Sequence, residues 1–110
     1  MPEFKPKEIN WKDSNSWNVM EENRKLLDEI DKEAKDKGEL LWRTIQEPFA
    51  DGYAVYQIIK VNKKTARIRC CSGLGDDWMI PYWGEETSVD LDYVESKIQQ
   101  KDAMAAFFAS

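Results

Sequence analysis

The chain has 110 residues, 42% hydrophobic and 34% charged, with a net charge of −5; this length holds one domain burying roughly two-thirds of its unfolded surface. It contains no histidine, which removes Cys–His and Ser–His–Asp nucleophile systems and every zinc site built on imidazole. No apolar run approaches the roughly 20 residues that span a bilayer, and the opening MPEFKPKEIN lacks a signal peptide's apolar segment, so a soluble, cytoplasmic protein is expected.

Residues 1–15 carry Pro2, Pro6 and many charges without apolar periodicity, and are expected to be a mobile lead-in from which Trp11 docks onto the body. Residues 16–37, SWNVMEENRKLLDEIDKEAKDK, read as a helix capped by Ser14, Asn15 or Ser16 and closed by Gly38. Glu21–Lys25, Asp28–Lys32, Asp31–Lys35 and Glu33–Lys37 are acid-before-base pairs at i,i+4. Its apolar stripe is narrow: Met20, Leu27, Ile30 and Ala34, flanked by Trp17 and Leu26. Such a stripe either packs on the chain's own body, the favoured reading, or pairs with a second copy as a homodimer.

Glu39–Pro48, ELLWRTIQEP, alternates as a first strand ended by its proline. GYAVYQIIKVNKKTARIRCCSG, from Gly52, then reads as two strands around a polar turn. With Lys63-Lys64 as the turn, Val61 faces Ala66, Ile59 faces Ile68 and Gln57 faces Cys70. That register predicts a core face of Val55, Ile59, Val61, Ala66, Ile68 and Cys70. The opposite face carries Tyr56, Ile58, Lys60, Arg67 and Arg69. The turn lacks the Asn-Gly or Asp-Gly that two-residue loops prefer, so a longer loop is an alternative. Cys70 and Cys71, adjacent on a strand, point to opposite faces and are expected as reduced thiols, with one buried.

Ser72–Asp77, SGLGDD, reads as a loop, and Trp78–Trp83, WMIPYW, as a short strand confined to an edge by Pro81. Thr87–Val89 adds a brief final strand. Asp90 then caps a last helix, with Val89 and Val94 placed as a hydrophobic staple. Leu91, Val94, Ile98, Ala105 and Phe108 form its predicted buried stripe, widened by Tyr93, Met104 and Phe107.

Helix, four or five short strands, then helix, is an α+β arrangement around one small antiparallel sheet. The segment DGYAVYQIIKVNKKTARIRCC resembles the strand pair of a Src-homology-3-like (SH3-like) small barrel of the KOW or Tudor sort. YQIIKVNKKTARI followed by DDWMIPYWGEE also resembles small proteins of phages and other mobile elements. The resemblance covers roughly residues 39–100 and implies a barrel. The division it suggests is a lead-in (1–15), a charged helix (16–38) and a small barrel with its C-terminal helix (39–110).

Charge is uneven along the chain. Residues 1–38 carry 8 basic and 10 acidic groups, residues 39–75 carry 6 and 3, and residues 76–110 carry 2 and 8. Two binding surfaces follow. Asp76, Asp77, Trp78, Tyr82, Trp83, Glu85 and Glu86 combine acids with the aromatics that dominate protein interfaces. Their other reading is aromatics filling the core with acids solvating loops. Tyr56, Lys60, Lys63, Lys64, Arg67 and Arg69 combine bases with an aromatic, as single-strand binders do, or are a solvated face neutralised by the acidic half. The acids do not match the spacing of a calcium loop, and a chain this small offers no deep sugar cleft between carboxylates. The expectation is a non-enzymatic binding protein without metal or cofactor, acting on a protein partner. An inhibitor of a host defence nuclease, of the anti-CRISPR kind, is its concrete form. A KOW- or Tudor-like module that contacts nucleic acid through the basic hairpin face is the alternative.

Overall fold

The computed structural model describes residues 4–5, 14–49, 52–71 and 84–109. In chain order the elements are α1 (Ser16–Asp36), β1 (Thr44–Phe49), β2 (Gly52–Val61), β3 (Thr65–Cys70), β4 (Glu86–Asp90) and α2 (Leu91–Ala109). The four strands form one antiparallel meander in the order β1-β2-β3-β4. This is an α+β fold with one helix before the sheet and one after it.

The sheet is not closed. The expected SH3-like barrel is therefore corrected to an open sheet, and the reason is visible at its edges. Closure would pair β1 with β4, but the outer edge of β1 is occupied by side chains from both helices, and each face of the sheet is covered by a different helix.

Those two faces follow from strand alternation. Ile45, Ile58, Ala66 and Ile68 point to one face and bury against Val94 and Ile98 of α2, with Tyr56, Val89 and Leu91 at the margin. Leu27 and Ile30 of α1 form a second cluster with Phe4 and Cys71, against which Val55 and Trp42 pack. Val55 neighbours Tyr56 along β2, so this cluster lies on the opposite face. Gln57, wholly buried there, accepts the Phe4 N–H at 3.4 Å and donates to the Trp42 carbonyl at 3.5 Å.

α1 ends as expected. Gly38 takes φ +70°, the Gly38 N–H reaches the Lys35 carbonyl and the Glu39 N–H reaches that of Ala34, the paired bonds of a Schellman stop. Leu27, Ile30 and Ala34 are buried, so the narrow stripe packs on the chain's own body. Of the four i,i+4 pairs, Glu33–Lys37 forms at 3.2 Å. Asp31 and Lys35 do not pair with each other: Asp31 turns inward to Arg43 and Lys101, and Lys35 reaches Asp102.

The hairpin turn is Lys63-Lys64, and Val61 faces Ala66 as predicted. Beyond Lys60↔Arg67 the register shifts, so that Ile58 rather than Ile59 faces Ile68, and Tyr56 rather than Gln57 faces Cys70. A bulge at Ile59 is the cause, because one extra residue reverses the facing of every side chain beyond it. Ile58 and Tyr56 thus turn toward the α2 core, Val55 and Gln57 turn toward α1, and Val61 is 41% exposed.

α2 corrects a second expectation. Val94 and Ile98 are buried, but Ala105 and Phe108 of the predicted stripe are exposed, as are Tyr93, Met104 and Phe107, which were to widen it. The helix outruns the sheet beneath it.

Candidate functional site

The two outer edges of the sheet are treated differently. On β1 the Thr44 and Gln46 backbone groups point away from β2, and charged side chains meet them. The Thr44 N–H donates to Asp31 Oδ1 at 2.8 Å, Lys101 Nζ donates to the Thr44 carbonyl at 3.0 Å, and Lys97 Nζ donates to that of Gln46 at 3.2 Å. A strand whose outer groups are capped by charge does not accept another strand.

The same residues form an ion cluster that joins α1, β1 and α2. Arg43, itself 3% exposed, donates Nε to Asp31 at 2.8 Å and its two Nη groups to the carboxylate of Asp102. Lys101 Nζ reaches the other Asp31 oxygen at 2.9 Å. Burial alone would raise the Asp31 carboxyl, but the hydrogen bonds from Lys101, Arg43 and the Thr44 amide outweigh it and hold the pKa below the ordinary value. The Arg43 hydrogen bond lowers Asp102 in the same way. Trp42, which precedes the arginine, has φ +74°, a left-handed conformation that costs a non-glycine residue about 1–2 kcal/mol. It places the indole against the α1 cluster and sets Arg43 between its two carboxylates.

At the opposite edge nothing among the described residues covers β4. Leu91 N–H bonds the Lys64 carbonyl and Cys70 N–H bonds that of Glu85, so the odd-numbered residues of β4 face β3. Glu86, Ser88 and Asp90 therefore direct their backbone N–H and C=O groups outward, and among the described residues no strand or side chain meets them. All of β4 is exposed except Val89. The edge is acidic: Glu85, Glu86, Asp90 and Asp92 are exposed within eight residues.

Of the acidic–aromatic set, Asp76, Asp77, Trp78, Tyr82 and Trp83 lie outside the described residues. Glu85 and Glu86 stand at the start of the open strand. The basic set is split by the bulge. Tyr56 turns toward the α2 core and burial raises its hydroxyl pKa, while Lys60, Lys63, Lys64 and Arg67 stay exposed around the hairpin tip. Arg67 and Arg69 share one carboxylate: Glu86 accepts Arg67 Nε at 2.7 Å and Arg69 Nη2 at 3.5 Å, and the Arg67 hydrogen bond lowers the Glu86 pKa. Both cysteines are buried free thiols, and burial pushes Cys71 up to about 12, which removes it as a nucleophile at neutral pH.

No family model, curated protein or solved structure matches this chain. Among the described residues no group of His, Cys, Asp and Glu side chains is arranged to hold a metal, and no helix is long and apolar enough to cross a membrane.

Sequence reasoning missed the ion cluster and the contrast between edges. The one signal for the cluster was Arg43, a guanidinium between Trp42 and Ile45 in the segment read as the first strand, with carboxylates elsewhere to receive it. The openness of β4 depends on which strand neighbours which, and no local pattern carries that.

Proposed function

We propose that this is a non-enzymatic binding protein that acts through protein–protein contacts, and that β4 is the edge to which an extended segment of the partner adds as a further strand. The observation that carries this reading is the contrast between edges: β1 is capped by Asp31, Lys97 and Lys101, whereas Glu86, Ser88 and Asp90 direct outward backbone groups that nothing among the described residues meets, in an acidic setting. Main-chain bonding at a sheet edge supplies affinity, and alternate side chains supply choice of partner. The chemistry that fits is a basic, extended segment, because exposed acids flank the edge at both ends.

The concrete form is an inhibitor of a host defence nuclease, of anti-CRISPR type. Nucleases present basic surfaces to phosphate backbones, and an acidic strand edge complements such a surface. The alternative, a nucleic-acid-associated module using the hairpin, draws on Lys60, Lys63 and Lys64, exposed together at the tip. Against it stands Glu86, which bonds both Arg67 and Arg69 and offsets one of their two charges.

A single substitution separates the readings. Ser88→Pro removes an outward-facing N–H that no described residue accepts, at an edge position where proline is tolerated. Titration with a strand-forming peptide of alternating Lys and Thr is expected to show binding that Ser88→Pro weakens roughly ten-fold or more. Inhibition of target cleavage by a guide-loaded nuclease, lost in the same variant, supports the inhibitor form. Binding to a single-stranded oligonucleotide with a steep salt slope, indifferent to Ser88→Pro and lost in Lys63→Ala/Lys64→Ala, would overturn the protein-partner reading in favour of the alternative.

A further inference from the structure

The last seven residues of α2, Ala103–Ala109 (AMAAFFA), are all apolar and all exposed. Phe107 and Phe108 are each 75% exposed and meet edge to face with centroids 5.5 Å apart. Beside them runs a groove of about 760 Å³ between α1, the covered edge of β1 and α2. Its α2 wall is made by Lys97, Gln100, Lys101 and Met104. Phe107 and Phe108 follow at the next i+3 and i+4 positions, so the rings continue the wall of the groove beyond its end. On the α1 side the wall is Met20, Arg24 and Leu27, and Trp17, 66% exposed, extends the same face by one turn.

We infer that this surface binds a second copy of the chain, the Phe107–Phe108 end of each α2 seating in the α1–α2 groove of the other. Projecting rings and receiving groove lie on one continuous face, which is what a two-fold, isologous contact requires. The area suffices. Two rings three-quarters exposed offer roughly 300 Å² at about 200 Å² per ring. With Trp17, Met104 and the groove walls, each copy presents on the order of the 800 Å² that a stable dimer buries per partner. Charge permits it too. In the groove walls Arg24 and Lys97 balance Glu21 and Asp28, and Lys101 is already paired with Asp31, so this face is close to neutral on a chain of net charge −5. Two acidic copies therefore meet where their repulsion is least. The contact leaves β4 free, and the inference does not depend on the function proposed above.

Sedimentation velocity over a concentration series tests it with three proteins: the unaltered chain, Phe107→Ser/Phe108→Ser, and Tyr53→Glu in the groove wall. These side chains are at least two-thirds exposed, so the fold of each variant, read by far-UV circular dichroism, is expected to be unchanged, and any loss of melting temperature is expected to vanish at concentrations where the unaltered chain is monomeric. The unaltered chain is expected to dimerise, and each variant alone to dissociate at least roughly ten-fold more readily. An equimolar mixture of the two variants regains one of the two contacts and recovers part of the dimer. A monomer at every concentration, a dimer indifferent to both substitutions, or a monomer that instead co-sediments with phosphatidylcholine vesicles through its α2 end would overturn the inference.

Discussion

Arg43 is the residue on which the two helices and the sheet converge. Its guanidinium lies between Asp31 of α1 and Asp102 of α2, and replacement by methionine keeps the aliphatic volume while leaving Asp31 buried with Lys101 as its remaining cation. Breaking a buried pair costs about 3–5 kcal/mol, and the retained lysine places Arg43→Met near about 3 kcal/mol, readable as a lowered urea midpoint. The cluster also fixes the acid response. Asp31 and Asp102 are both held below their ordinary value of 3.8, so the stability they contribute is fully present above that value and is lost as pH falls through their lowered folded pKa values. The urea midpoint is expected to fall as pH is lowered from about 5 to about 2, and to fall less steeply in Arg43→Met. An equal slope in both proteins would show that the cluster does not govern acid unfolding.

At the scale of elements, local signals were legible where they are local in origin. The Gly38 stop, the Lys63-Lys64 turn and the start of α2 at Leu91 all rest on residues within one turn of each other, and all form as read; Val94 and Val89, read as a staple, join the same cluster. Gly38→Ala follows from the first of these. A Cβ there meets nothing within 4 Å, so its cost is that of the positive φ alone, about 1 kcal/mol, and a melting curve unaffected by the change would contradict the assignment. The faces of β2 were not legible. Tyr56, Ile58, Lys60 and Val55, Ile59, Val61 are equally good alternating sets, and the bulge that chooses between them is fixed by Ile58 packing against Ile68, Val94 and Ile98 from distant parts of the chain. The end of α2 was misread for a related reason. Ala105 and Phe108 keep the helical spacing of Val94 and Ile98, but spacing does not reveal that the contacts of α2 with the sheet and its ion cluster end at Lys101 and Asp102.

At the scale of the whole molecule the architecture is an open four-stranded sheet with a helix on each face, one edge capped and the other uncovered among the described residues. Of the candidate surface, Glu85 and Glu86 were legible as acids ahead of a short strand. The pairing of Arg67 and Arg69 with Glu86 was legible only as a surplus of acid, since it needs β3 and β4 side by side. The free edge itself has no sequence signature, because Thr87, Ser88 and Val89 would read the same in the middle of a sheet. Site-resolved amide hydrogen exchange on the unaltered protein without a partner tests it directly. Thr87, Val89 and Leu91, which face β3, are expected to be protected, while Glu86, Ser88 and Asp90 exchange at rates near those of an unfolded chain. Protection of Ser88 and Asp90 equal to that of their neighbours would show that the edge is already covered, and would contradict β4 as the partner-binding strand.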